Sequence, residues 1–328
     1  MQDGDMEEKG NRCFDMLRKH SFFYPIGNEN EKEDLYEIYP NVYALAQSLA
    51  GNESCYYPKI GTSSCKGADT LHATIILRDD DTGNVPGPLS QAVKLRMLKL
   101  VKLPEFKVPS YVFRKFPYLR ALDLSCTRLT ELPSEVSKLK LLKILILSGS
   151  RFTKLPDTVC DLKNLQTLIL NGCEELIELP EKIGQLTNLR HLEVKDTPDL
   201  KKFPKGLGKL TNLRTLSKFV VAAHSSRKGA KIGELKELNL LQGHLEIKGL
   251  HRVKRGSDAF KAALADKTDL QSLRLDFEHN LSQKPESVKI MEDVLETLKP
   301  NQAVEIVQLC NYPETARLPS WWVPINQE

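Results

Sequence analysis

One pattern restricts what this chain can fold into more than any other feature. LRALDLSCTRLTELP at 119–133 recurs as LKILILSGSRFTKLP at 142–156, LQTLILNGCEELIELP at 165–180 and LRHLEVKDTPDLKKFP at 189–204. The shared frame is L-x-x-L-x-L, a small or polar residue three places on, then an apolar residue and an apolar-Pro pair. Its fourth positions are Leu98, Leu122, Leu145, Leu168, Leu192 and Leu216, at intervals of 24, 23, 23, 24 and 24 residues. Leu245, Leu273 and Val307 continue the series at 29, 28 and 34, so the array becomes irregular toward its C-terminal end.

A period of 20–29 residues with this frame is that of the leucine-rich repeat. Leu122 and Leu124 alternate with Ala121, Asp123 and Ser125, so a short strand buries its leucines and turns the other residues outward. Leu132-Pro133, Val136 and Leu139, echoed at Leu155-Pro156, Val159 and Leu162 and at Leu179-Pro180, Ile183 and Leu186, carry the chain back over the outer side. A single coil cannot bury its own apolar face, so stability must come from stacking, and the stack is expected to bend into an arc. The predicted class is α/β: a leucine-rich-repeat solenoid with a curved parallel sheet and with helices and irregular coils on its outer side.

The ninth frame positions, Thr127, Ser150, Cys173 and Thr197, are read as small buried groups that hydrogen-bond the neighbouring turn. Helices are expected in the wide repeats. One is capped by Ser257 and Asp258 with Phe260, Ala263 and Leu264 apolar, and another carries Val288, Met291, Val294, Leu295 and Leu298 and ends before Pro300. The stretch AAHSSRKGAK at 222–231 reads as a solvated basic loop, with a role in partner contact as the alternative.

The outward strand positions are where a partner would meet the sheet. The candidate contact residues are Asp123, Ile144, Ile146, Thr167, Ile169, Asn171, His191, Glu193 and Lys195 on the concave face. Ile144, Ile146 and Ile169 are apolar where solvent favours polar groups, and an apolar cluster rimmed by polar residues marks a protein contact. β-propensity alone also places isoleucine on a strand. His191, Glu193 and Lys195 imitate an acid–base set, but no nucleophile accompanies them on an open sheet, so no catalytic residue and no enzyme activity is assigned.

Composition narrows the remaining classes. The 328 residues are 41% hydrophobic and 27% charged, which disfavours disorder. No apolar run approaches the roughly 20 residues of a membrane span. The first ten residues, MQDGDMEEKG, are acidic, unlike an export signal. Seven cysteines, none in a C-x-x-C pair and without a His cluster, read as reduced thiols in a cytoplasmic protein with no metal site. The net charge of +4 combines -6 over residues 1–55 (11 acidic, 5 basic) with +10 over the remainder. Lysines and arginines are interspersed with acids, so nucleic acid is not the expected partner.

A family resemblance rests on further residues. EEKGNRCFDML followed by KHSFF, ALAQSLAG at 44–51, LRALDLS at 119–125, IGELKELNLLQGHLEIKGL at 232–250, FKAALADKTDLQSLRLDF at 260–277 and Pro-Ser-Trp at 319–321 together resemble plant disease-resistance proteins. The class resembled is the nucleotide-binding leucine-rich-repeat receptors with a coiled coil, whose nucleotide-binding module is called NB-ARC. The resemblance implies 1–55 as a partial winged-helix remnant of that module, 56–94 as linker and N-terminal cap, and 95–328 as the repeat domain. It implies partners that are proteins: a pathogen effector, a guarded host protein, or the receptor's own nucleotide-binding module in an autoinhibitory contact.

Two departures accompany it. No G-x-x-x-x-G-K-[ST] phosphate loop is present, and the family's Met-His-Asp motif falls on Ile38, Tyr39 and Pro40, which lack the imidazole and the carboxylate. ADP or ATP is therefore expected only in a full-length family member, and no cofactor is assigned here. The expectation is a fragment trimmed at both ends that acts by recognition in innate immunity. The alternative is a free-standing adaptor or inhibitor using the same repeats without nucleotide switching; a nucleotide hydrolase and an extracellular receptor fit less well.

Overall fold

A computed structural model describes residues 3–26, 35–50, 53–57, 67–77, 91–102, 108, 110–125, 127, 129–278 and 285–322. The chain divides into two compact units, Met1–Ser54 and Cys55–Glu328.

The first unit contains helix α1 (Asp3–Lys19), the antiparallel pair β1 (Phe23–Ile26) and β2 (Leu35–Ile38), and helix α2 (Pro40–Ala50). Proline suits the first position of a helix, because its missing N–H would have no intrahelical acceptor there. Phe14 stacks on Phe23 with ring centroids 5.1 Å apart. Phe14, Met16, Leu45 and Leu49 are exposed, so these four apolar side chains of the unit stay largely uncovered.

An eight-stranded sheet, which apart from Ser54 belongs to the second unit, runs from β3 (Ser54–Tyr57) through β4 (His72–Leu77), β5 (Met97–Lys102), β6 (Ala121–Asp123), β7 (Ile144–Ile146), β8 (Thr167–Ile169) and β9 (His191–Glu193) to β10 (Thr215–Leu216). A four-stranded sheet follows: β11 (Lys218–Val220), β12 (Gln242–Lys248), β13 (Asp269–Asp276) and β14 (Ile306–Cys310). From β4 to β10, and from β11 to β14, neighbouring strands are parallel. The fourth frame positions are in register: Leu98, Leu122, Leu145, Leu168, Leu192 and Leu216 lie side by side, as do Leu245, Leu273 and Val307. The first six are at most 1% exposed.

Ala73 extends the first row, because it pairs with Leu98. The stretch 56–94, expected to be linker and cap, thus holds a strand of the sheet, and the solenoid sheet begins ahead of residue 95. The leucine frame does not reveal this coil, since HATIIL places alanine and isoleucine at the inward positions.

Opposite the strands, short 3-10 turns close the coils at Ser134–Lys138, Asp157–Asp161, Ile183–Gln185, Leu207–Lys209 and Ile232–Leu235. Pro133 and Pro156 set the extended entry to the first two, and Val136, Leu139, Val159, Leu162, Ile183 and Leu186 turn inward. The predicted helix near 258 shrinks to α4 (Gly256–Phe260), after the six-residue α3 (Ser110–Lys115). Neither Ser257 nor Asp258 caps it, Phe260 is exposed, and Ala263 takes a left-handed φ of 50° that ends the run. The other wide-repeat helix, α5 (Pro285–Thr297), buries Met291, Val294 and Leu295 with Leu298 following.

Two sets of polar staples hold coil to coil. Asn164, Asn188 and Asn212 each donate an amide N–H to the carbonyl of Lys140, Lys163 and Thr187 in the preceding coil, at 2.8 Å in every case. Glu234 accepts from the N–H of Gly206 at 3.1 Å and of Gly208 at 2.9 Å. Glycine is required at 208, because a Cβ there would lie 2.7 Å from the Glu234 carbonyl oxygen. The ninth-position residues behave differently from expectation. Thr127 and Thr197 donate to Leu124 and Val194 of their own coils, Thr197 also accepts from Lys218 of the following coil, Cys173 reaches the preceding coil at Leu147, and the buried Ser150 hydroxyl has no partner.

Leu168 sits mid-row, and its replacement by Ala should cost about 2–5 kcal/mol of unfolding free energy, measured by urea denaturation. Cys160 and Cys173 are buried, and burial pushes both thiols up to about 11. Iodoacetamide at neutral pH should leave both unmodified in the folded chain and alkylate them only after denaturation, read by peptide mass spectrometry.

Lys267 is fully buried, donates to the Leu235 carbonyl at 2.9 Å, and is lowered by burial to about 8. The unfolded chain releases this proton near its ordinary value of about 10.4. Between those limits the unfolded state holds a proton the native state has lost, so this group makes stability rise with pH from about 8 to about 10.4. Below about 8 its penalty is fully present. Lys267→Met should abolish that rise; parallel pH profiles of unfolding free energy for the two proteins would refute the assignment.

Candidate interaction face

Alternation along each strand sends one set of side chains into the core and the other onto the open face, with rungs about 4.8 Å apart. Register then decides which outward residues meet. Ile144 lies between Ala121 and Thr167, and Ile146 lies between Asp123 and Ile169. Ile169 in turn neighbours Glu193, and Thr167 neighbours His191. The isoleucines therefore form a contiguous apolar step, with Ile144 38% exposed and Ile146 and Ile169 half-buried.

Polar groups border this step, and several are already engaged. Asp123 is only 7% exposed, ion-pairs with Lys99 at 3.0 Å and accepts from the Ser125 N–H at 2.9 Å and from its hydroxyl. It is a fixed rim group, unlike the open contact position expected from the frame. Asn171 accepts from the Lys195 N–H at 2.8 Å, so its carbonyl serves the turn. His191 Nδ1 lies 3.2 Å from the Thr215 hydroxyl. Burial pushes the Glu193 carboxyl up, opposed by hydrogen bonds from Thr215 and Ser217. His191 and Glu193 thus lean on Thr215 and Ser217 of the next coil, and Lys195 follows them just past the end of the same strand.

Beyond Glu193 the face changes character. A cleft of about 680 Å³ opens between the two sheets and includes Glu193, Lys195, Thr215, His244, Asp269 and Glu305. A second, of about 630 Å³, shares Lys195, Ser217 and His244 with it and continues to Glu246, Lys248 and Arg274. The break at Ser217 creates this relief. Its hydroxyl accepts from Val194 at 2.8 Å, β10 stops, and β11 begins the next sheet. A register shift at Gly243/His244, with Gly243 at φ 72°, starts the longer strand β12.

The outward residues of the second sheet form charge pairs across strands. Glu246 lies opposite Lys218 and Arg274, and Lys248 opposite Asp276. Arg274 Nε stands 3.4 Å from Glu246 Oε1 without hydrogen-bond geometry, and Lys248 Nζ 3.8 Å from Asp276 Oδ2. Lys218 is buried, its ammonium lowered by burial against the opposing pull of Glu246, and it donates to the Thr197 carbonyl and hydroxyl. His244, Glu246, Lys248, Arg274 and Asp276 were missed by sequence reasoning. The signal was available: they alternate with Leu245, Ile247, Leu273 and Leu275.

Ile38, Tyr39 and Pro40 lie in the first unit. Ile38 ends β2, Tyr39 packs on Tyr24 with centroids 4.8 Å apart, and Pro40 opens α2. They present neither imidazole nor carboxylate to a nucleotide, so they do not fit the family's nucleotide contact. Among the described residues, no group of three or more His, Cys, Asp and Glu could hold a metal ion, and no helix is long and apolar enough to cross a membrane.

Comparison with known proteins places this geometry. Over 107 residues the chain is 40% identical to disease resistance protein RGA4 and 39% identical to RGA1, both of Solanum bulbocastanum. Each match covers 33% of this chain and 10% of the relative, so the matched segment spans about a tenth of those proteins. Among solved structures, a plant peptide hormone receptor, RGFR1 in complex with RGF2, matches at TM-score 0.46 and 21% identity, covering 68% of this chain and 33% of the receptor. An internalin of Listeria monocytogenes matches at TM-score 0.48 and 15% identity, covering 73% and 61%. The family model described as a leucine-rich repeat region matches residues 114–326. The in-register leucine rows and this match over well over half of the sequence make the chain a member of the leucine-rich-repeat family.

Proposed function

We propose that this chain is part of a plant immune receptor acting in the cytoplasm, and that its repeats recognise another protein through the open sheet face. The observation that carries this is the apolar step of Ile144, Ile146 and Ile169, held in register on a solvent-facing sheet and bordered by charged clefts. Such a surface has the anatomy of a contact patch, an apolar centre with a polar rim. The similarity to disease resistance proteins supplies the setting: a pathogen effector or guarded host protein is the partner class, with the receptor's own nucleotide-binding module as an autoinhibitory occupant. The exposed Phe14, Met16, Leu45 and Leu49 of the first unit favour this reading over a free-standing adaptor, which would have reason to cover them.

No catalytic step is part of this function. Binding energy comes from burying the isoleucine step, while the rim charges select the partner and set its approach rate.

Ile146→Asp with Ile169→Asp tests the reading. Proximity labelling in plant tissue should show a specific set of proteins around the wild-type chain that falls at least about tenfold with the double variant, a loss of about 1.4 kcal/mol or more. Leu141→Asp, on the exposed turn ahead of β7, should retain the set. Unchanged labelling by a folded double variant would place the contact elsewhere.

A further inference from the structure

Counted coil by coil, the longest stretch of basic residues without an acidic one lies in the coils around residue 216. Residues 200–233 hold nine Lys and Arg and no Asp or Glu, in a chain whose overall excess is only +4. Lys218 is buried, and Lys231 turns its ammonium onto the carbonyls of Ala222, Ala223 and His224. Lys201, Lys205, Lys209, Arg227 and Lys228 are exposed.

These charges are gathered by backbone geometry. Lys205 N donates to Lys228 O at 2.7 Å, Ala230 N to Phe203 O at 2.7 Å, and Ala222 N to Ala230 O at 2.9 Å, while Pro204 and Gly229 form an antiparallel bridge. Arg252, held by Glu278 at 2.6 Å, donates to Val221 O at 2.8 Å and Lys201 O at 3.3 Å. The loop that reads as merely solvated in the sequence is thereby pinned. Arg227 and Lys228 are carried on a short segment whose backbone is bonded to 203–205, so ordering costs little when a partner arrives.

The rim shows which chemistry these cations meet. Lys202 pairs with Glu178 at 3.3 Å and Lys228 with Glu181 at 2.8 Å. Beside Glu178 in the chain, Ile177 is 46% exposed. Carboxylates are thus the anions already seated at the edge, and an apolar side chain accompanies them. A continuous phosphate backbone would be repelled by Glu178 and Glu181, whereas a polypeptide can place its acids between them.

We propose that this basic shoulder is a second docking surface, distinct from the open sheet face, for an acidic polypeptide segment of a partner protein that carries apolar residues among its Asp and Glu.

The test uses the full chain and a fluorescein-labelled peptide of about a dozen residues, Glu and Asp interspersed with Leu, in fluorescence anisotropy at about 50 mM salt, where surface charge is weakly screened. A peptide with Gln and Asn in place of the acids, and a single-stranded DNA oligonucleotide of equal charge, run in parallel. The expected result is saturable binding of the acidic peptide, weakened about tenfold or more by Lys205→Glu with Arg227→Glu and far less by Lys138→Glu with Lys140→Glu, which alters net charge equally on another coil. Circular dichroism melting should confirm that both variants remain folded. Absence of acidic-peptide binding, equal weakening by the two charge reversals, or tighter binding of the oligonucleotide would each overturn the proposal. None of these outcomes bears on the isoleucine step, which the shoulder does not include.

Discussion

Everything in the second unit depends on one contact repeated along the stack: the fourth-position side chain of each coil lies against its counterparts in the coils before and after. A coil of 23 or 24 residues has no second layer of its own, and its leucines would stay wet without neighbours. Each fully buried leucine contributes about 1.5–3 kcal/mol, but only when the adjacent coil is in place. Stability in such an array therefore belongs to the interfaces between repeats as much as to the repeats themselves. This explains why Ala73, though small, belongs to the row: it supplies the wall against which Leu98 is closed.

Apolar stacking says little about the exact slide of one coil over the next, and the polar staples supply that information. The amides of Asn164, Asn188 and Asn212 each find a carbonyl one coil back, and the carboxylate of Glu234 closes two glycine N–H groups ahead of it. With the coils locked, the outward residues have no freedom to change neighbours. The isoleucine step and the cross-strand charge pairs are consequences of that locking, as is the proximity of Arg227 and Lys228 to the segment 201–205. A recognition surface assembled this way is rigid before a partner arrives, and little of the binding energy is lost to ordering it.

The repeat frame was legible because leucine at fixed spacing is a strong, redundant signal, and the outward positions follow from strict alternation. That reading reached Ile144, Ile146, Ile169, His191, Glu193 and Lys195. It stopped where the frame loosened. Between 216 and 245 the interval lengthens, and the charged rungs Glu246, Lys248, Arg274 and Asp276 went unremarked although they alternate with apolar residues. Asp123 shows the opposite failure, since alternation places it outward but Lys99 and Ser125 close over it. The short α4 failed for a local reason: helical spacing of Phe260, Ala263 and Leu264 does not disclose that Ala263 adopts a left-handed backbone.

What the sequence by itself determined is the period, hence the solenoid, the buried rows and the alternation of inward and outward residues, because these depend on spacing within a few residues. What only the tertiary structure decided is which outward residues become neighbours, which charges are already paired, and where distant segments are drawn together. Those outcomes depend on hydrogen bonds between residues far apart in the chain, such as Arg252 to Lys201, 51 positions away, or Lys228 to Glu181, 47 positions away. Periodicity places a residue on a face, but the partner it meets there is set by how one coil settles on the next.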